Sequence, residues 1–184
     1  MEQDDVPIYQ QVRDYNDFHT RFDRAAEISI IVKDINTLGQ GKADTQFIKE
    51  NMRMVLEMIS PCESDIQFTT KMARLAALFE VELEQIKIEI EKPNFRRYNR
   101  IIKRWLNYRN IAYDPDMLTV WSNIKTLRNM EPIHSETDSL KLMQILDYFG
   151  QPKSLPIYYL SLWDEILDRF RLSLELFREI LNKL

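Results

Sequence analysis

Gly39, Gly41 and Gly150 are the only glycines in 184 residues. Glycine makes up about 7% of an average protein, and tight turns and hairpins lean on it for backbone with positive φ. A chain this poor in glycine is badly suited to a sheet-rich fold. Phosphate-cradling glycine loops are excluded as well, since neither GxGxxG nor GxxxxGK[ST] occurs.

Apolar residues instead recur at helical spacing through nearly the whole chain. Tyr15, Phe18, Phe22, Ala25, Ile28, Ile31, Val32 and Ile35 form one stripe, which Gly39 and Gly41 are expected to end. Asp44 or Thr45 is placed to cap a second helix carrying Phe47, Ile48, Met52, Val55, Leu56 and Ile59, stopped by Pro61. Ser64 or Asp65 caps a third with Phe68, Met72, Leu75, Leu78 and Phe79. Residues 80–91 fit either strand alternation or a helical face of Phe79, Leu83, Ile86 and Ile90. Their Glu, Gln and Lys favour helix, and only the β-branched run at 28–32 offers a strand to pair with.

Pro93 and Asn94 open the next helix, with an inner stripe of Phe95, Tyr98, Ile102, Trp105 and Leu106. Asp114-Pro115-Asp116 turns and caps a helix with Leu118, Trp121, Ile124 and Leu127, broken by Pro132. Thr137 or Asp138 caps another that runs through Phe149 to Gly150, and the last begins near Pro156. The expected fold is all-α, a bundle of about seven or eight helices. It is read as one domain over residues 1–184, with a subdivision into similar helical subdomains, 1–112 and 113–184, as the alternative.

Hydrophobic content of 45% and charged content of 29% belong to a soluble globular protein. Cys62, the one cysteine, rules out an intrachain disulfide and a thiolate zinc cluster. The start, MEQDDVPIYQQ, is acidic and polar rather than a signal peptide, and no apolar run approaches the ~20 residues of a membrane span. The expectation is an intracellular protein, nuclear or cytoplasmic, with no membrane partner and no cofactor.

Lys92 to Arg109 holds seven basic residues and no acid, interleaved with Phe95, Tyr98, Trp105 and Tyr108, in a chain of net charge -4. On a helix, Arg96, Arg97, Arg100, Lys103, Arg104 and Asn107 share one broad face and the aromatic stripe lies opposite. Such a face suits phosphate backbones or an acidic peptide whose hydrophobic anchors supply affinity. It also suits neutralisation within the chain, because Glu80, Glu82, Glu84, Glu89 and Glu91 lie just upstream. The aromatics fall at core spacing, and the flanking sequence on both sides is net acidic. Both points favour a protein partner over nucleic acid.

Each histidine follows an arginine at one spacing, in Arg13-Asp-Tyr-Asn-Asp-Phe-His19 and Arg128-Asn-Met-Glu-Pro-Ile-His134. The pattern resembles the Arg–His motif of the HEPN superfamily of helical ribonucleases. That resemblance implies His19 and His134 as a general acid/base pair and Arg13 and Arg128 as phosphate clamps. Pro132 interrupts the second copy. Read as residues alone, His19 is a surface side chain and His134 a turn residue.

Two stretches read alike. One is Met58-Ile-Ser-Pro61-Cys-Glu-Ser-Asp65 with Lys71-Met72-Ala-Arg-Leu75-Ala-Ala-Leu78-Phe79. The other is Met130-Glu-Pro132-Ile-His-Ser135-Glu-Thr-Asp138 with Lys141-Leu142-Met-Gln-Ile145-Leu-Asp-Tyr148-Phe149. A tryptophan-bearing amphipathic helix follows each, around Trp105 and Trp163. From Leu118 to Phe170, and more faintly from Met54 to Arg109, the pattern resembles the amino-terminal domain of transcription elongation factor S-II. It is similar too to the integrase-binding domain of lens epithelium-derived growth factor. The Thr-x-h-Gly turn common there is missing here. The resemblance implies a helical bundle whose loops and basic flank bind short acidic-hydrophobic peptides.

Asp4-Asp5, Asp114 with Asp116, Asp164 with Glu165 and Asp168, and Glu175 with Glu179 read as helix caps or exposed faces, and no metal site is expected. The last helix carries Leu160, Leu162, Trp163, Ile166, Leu167, Phe170, Leu174, Leu176, Phe177, Ile180, Leu181 and Leu184, a stripe wider than one packing face requires. It is either a central core helix or a surface for self-association. The functional expectation is a non-enzymatic protein-binding or scaffolding module. A HEPN-like ribonuclease and a nucleic-acid-binding helical protein are the alternatives.

Overall fold

A computed structural model of the chain describes the backbone of residues 8–92, 94–129, 139–151 and 157–184, and the side chains of these residues except 8–16. Among the described residues there are eight helices and no strand. They are α1 (Ile8–Ala43), α2 (Met52–Ile59), α3 (Asp65–Ala77), α4 (Glu84–Glu89), α5 (Tyr98–Tyr108), α6 (Pro115–Asn129), α7 (Ser139–Tyr148) and α8 (Tyr159–Lys183). The all-α expectation holds.

The β-branched run at 28–32 lies inside α1, where Ile28, Ile31, Val32 and Ile35 share the buried face and Ile30 points out. Helical periodicity outweighs intrinsic β preference here because the buried face repays the small propensity deficit. Residues 80–91 are helical only over α4, with Leu83, Ile86 and Ile90 buried and Ile88 exposed, as the helical register requires. Ser64 caps α3 by accepting from the Gln67 amide (3.3 Å), and Asp114 accepts from the Asp116 amide (2.9 Å) at the start of α6. Gly150, with φ +70, takes the left-handed position that ends α7.

Three boundaries differ from expectation. Gly39 and Gly41 do not end α1, which continues to Ala43; Asp44, with φ 45, is the left-handed residue after it. Gly39 is needed for close approach, since a Cβ there would sit 2.5 Å from both the Phe47 ring and the Thr45 carbonyl. Second, Phe47 and Ile48 belong to a non-helical segment, and α2 starts only after Asn51, whose side chain accepts from the Arg53 amide (3.0 Å). Both residues are nonetheless fully buried. Asn36 makes this tolerable: its Oδ1 accepts from the amides of Phe47 (3.1 Å) and Ile48 (3.0 Å), and its Nδ2 donates to the Ile48 carbonyl (2.8 Å). Third, the basic helix begins at Tyr98, so Phe95, Arg96 and Arg97 precede α5 rather than opening it. Pro93, Pro132, Thr137, Asp138 and Pro156 lie outside the described residues.

The core draws on residues from Ala25 to Leu181, and Trp105, Trp121 and Trp163 are all fully buried within it. Phe79, Tyr98 and Trp121 meet ring to ring at 5.1–5.8 Å, and Phe177 stands edge-on to both Phe47 and Trp121. The most extensive helix packing is between α1 and α8. Arg24 pairs with Asp164, Arg171 with Glu27 (3.5 Å), Arg178 with Asp34 (3.2 Å), and Lys42 donates to the Asn182 carbonyl (3.0 Å). Partner numbers rise together along both helices, so α1 and α8 run parallel.

The wide apolar stripe of α8 is used inside the molecule. Leu162, Trp163, Ile166, Leu167, Phe170, Leu174, Phe177, Ile180 and Leu181 are buried, and Leu160 and Leu172 are its exposed large side chains.

Candidate binding surface

The buried positions of α5 are Tyr98, Ile101, Ile102, Trp105 and Leu106, a helical repeat that leaves one whole face to solvent. Tyr98 donates its hydroxyl to the Phe47 carbonyl (2.8 Å), and burial pushes its pKa upward. Trp105 packs on Phe47 with ring centroids 5.4 Å apart. Those two aromatics are thus committed to the core, Phe95 is half-buried, and Tyr108 is exposed.

Arg96, Arg97, Arg100, Lys103 and Arg104 are all exposed. Three of the five upstream glutamates serve other partners. Glu89 accepts two hydrogen bonds from Arg109, that from Nη2 at 2.9 Å, and one from the Trp105 indole (3.0 Å). These contacts, the Arg109 bonds foremost, hold its carboxyl below the ordinary value. Glu80 pairs with Arg128, and Glu84 with Lys87 (2.6 Å). Among the described residues, none of the five candidate binding cations has a carboxylate within 4.0 Å.

Two concavities flank α5. The first is lined by Ile90, Phe95, Arg100, Lys103, Arg104, Asn107 and Tyr108, an apolar floor with a basic rim. The second lies between α5, α6 and α7, where Arg97, Arg100, Lys125, Arg128 and Lys141 converge and, among the described residues, no carboxylate lines the wall. Arg100 belongs to both. The sequence reading missed Lys125 and Lys141 because it considered one helix at a time. The i, i+3 spacing of Lys125 and Arg128 on α6 is the only local hint.

The side chain of Arg13 and the whole of His134 lie outside the described residues. His19 is exposed on α1, edge-on to Phe18 at 6.1 Å, and Arg128 holds Glu80. Asp116 accepts from the Tyr148 hydroxyl (2.7 Å), while burial, then this bond, raises the phenol pKa to about 12. Asp164 and Asp168 both face Arg24, Glu165 pairs with Arg169 (2.6 Å) and Glu175 with Arg171 (3.1 Å). Among the described residues no group of three or more His, Cys, Asp and Glu side chains could hold a metal ion. No helix among them is long and apolar enough to cross a membrane.

Lys71 and Cys62 form a second buried polar site that carries no visible ligand geometry. The Lys71 ammonium donates to the Ser60 carbonyl (3.0 Å) and hydroxyl (2.6 Å) and lies 5.1 Å from the Trp163 ring centroid. Burial lowers the Lys71 pKa and raises that of the adjacent Cys62 thiol to about 11, which keeps the sulfur protonated and unreactive near neutrality. Comparison of the chain with protein-family models, with curated proteins and with solved structures returned no match.

Proposed function

We propose that the protein is a non-enzymatic, intracellular binding or scaffolding module that holds an acidic, hydrophobic segment of a partner protein against α5. One observation carries the reading: Arg100, Lys103 and Arg104 line one concavity with Ile90, Phe95 and Tyr108, and among the described residues none of the three cations has a carboxylate within 4.0 Å. An apolar anchor would bury against the floor while flanking carboxylates meet the rim, so that contact area supplies affinity and charge supplies steering. The sequence resemblance to the elongation-factor S-II amino-terminal domain, if carried over, implies the same class of partner.

Nucleic acid fits less well. Sequence-independent strand binding relies on exposed rings for stacking, and Tyr98 and Trp105 are buried. Self-association through α8 would have to use Leu160 and Leu172, since the rest of the stripe is in the core. The ribonuclease alternative has no observation among the described residues behind it.

The test is binding of a degenerate peptide pool rich in Asp, Glu, Leu and Phe, followed by fluorescence anisotropy. The triple variant Arg100→Glu, Lys103→Glu, Arg104→Glu should keep its circular dichroism spectrum, because all three sites are exposed. It should lose about tenfold or more in affinity. Unchanged affinity in a folded triple variant would remove α5 from the reading.

A further inference from the structure

We propose that the concavity between α5, α6 and α7 recognises a phosphorylated side chain carried by the partner segment. This rests on the reading above that the partner is a polypeptide. Five cations from three helical regions line one concavity: Arg97 and Arg100 from the start of α5, Lys125 and Arg128 from α6, and Lys141 from α7. Among the described residues, the polar remainder of the wall, Ser122, Thr126 and Asn129 among them, consists of neutral groups.

Lys125 is the informative member. It is half-buried, its ammonium sits 5.8 Å from the Tyr98 ring centroid, and no described carboxylate lies within 4.0 Å of it. Burial lowers its pKa. The acidic group near it, Glu80, is bonded to Arg128, so this partly desolvated ammonium has no carboxylate in direct contact among the described residues, and a ligand anion would supply one. Among the described residues, Arg128 alone in this group has a carboxylate within 4.0 Å, that of Glu80, which does not line the concavity.

A single carboxylate carries too little charge to match this site. A phosphomonoester brings about 1.5 to 2 negative charges near neutrality and three acceptor oxygens. Arginine forks meet such oxygens two at a time, and a lysine adds a point charge. A nucleic-acid backbone would need a continuing charged track with rings to stack on. The exposed ring of α5, Tyr108, lines the other concavity. Arg100 lies on the ridge between the two, so one segment crossing α5 could seat an apolar anchor on one side and a phosphate on the other.

The experiment uses the whole chain and three peptide pools, each degenerate in Asp, Glu, Leu and Phe around one fixed central residue: phosphoserine, serine or glutamate. The phosphoserine pool should bind about tenfold or more tightly than either other pool. Lys125→Gln and Lys141→Gln should each abolish that advantage while leaving serine-pool binding in place. Lys141 is exposed, so its variant keeps the test decisive if the Lys125 variant fails to fold. Equal binding of all three pools overturns the phosphate site and leaves the segment reading standing. Binding of none overturns both. A random-sequence single-stranded RNA that binds more tightly than the phosphoserine pool and displaces it overturns the proposal in favour of nucleic acid.

Discussion

Gly39 and Gly41 sit two residues apart on α1, yet a methyl group at each would meet opposite surroundings. At Gly41 nothing lies within 4 Å, whereas at Gly39 the Thr45 carbonyl and the Phe47 ring stand at 2.5 Å. Alanine improves helix propensity at both by about 1 kcal/mol, but overpacking a close contact costs about 1–3 kcal/mol. Gly41→Ala should therefore stabilise the protein by about 0.5–1 kcal/mol, and Gly39→Ala should destabilise it by about 1–2 kcal/mol, both read from urea midpoints. Glu89 gives a pH-dependent counterpart. Its carboxyl is held below 4.5 by Arg109 first and Trp105 second. A carboxylate depressed in the folded state stabilises above its unfolded value and loses that stabilisation as pH falls through the folded one. Glu89→Gln should cost about 1 kcal/mol near pH 7, its ion pair being partly exposed. The gap to the parent chain should narrow steadily below 4.5. A variant whose midpoint tracks the parent's at constant distance through acid would contradict this assignment.

The elements follow from periodicity wherever a buried face repeats every three or four residues, as α5 and α6 do. They do not follow where burial is achieved without a helix. Phe47 and Ile48 are core residues in a segment with no repeating backbone hydrogen bonds, and periodicity assigned them to α2 because spacing alone cannot distinguish the two. Both of their amides are held by one side chain from a neighbouring helix, Asn36. Asn36→Leu removes three hydrogen bonds to buried backbone and should cost roughly 2–4 kcal/mol. The Phe47 and Ile48 amides should then exchange with solvent much faster than those of α1, a pattern that native-state hydrogen exchange resolves. Protected amides in the folded variant would show that the segment is held by ring packing instead. The same limit explains the start of α5: Arg96 and Arg97 continue the basic run but lie before Tyr98, where burial begins.

At the scale of the whole molecule, the first and last helices lie side by side and run parallel. Their junction is bonded through Arg24, a buried arginine that meets the Asp164 carboxylate, the Asp164 carbonyl (3.1 Å) and Asp168 (3.2 Å). Arg24→Ala should destabilise the protein by about 2–3 kcal/mol, because it strips a buried cation from partners that keep some solvent of their own. A thermal melt followed by tryptophan fluorescence would show it, and an unchanged midpoint would mean that apolar packing alone holds the two helices. The α8 stripe is a related case. Its width suggested a surface, and its packing against α1 and α6 shows a helix covered on several sides.

By itself the sequence determined that this protein is built of helices, roughly where most of them lie, and which segment concentrates positive charge. Those properties are local: glycine scarcity, apolar spacing and charge are all read within a few turns of chain. Only the tertiary structure decided that Glu89 and Glu80 serve Arg109 and Arg128 and not the α5 rim. Only it brought Lys125 and Lys141 beside Arg97 and Arg100. Both depend on which helix lies against which, and that choice is made by core shape, which no single stripe of residues encodes.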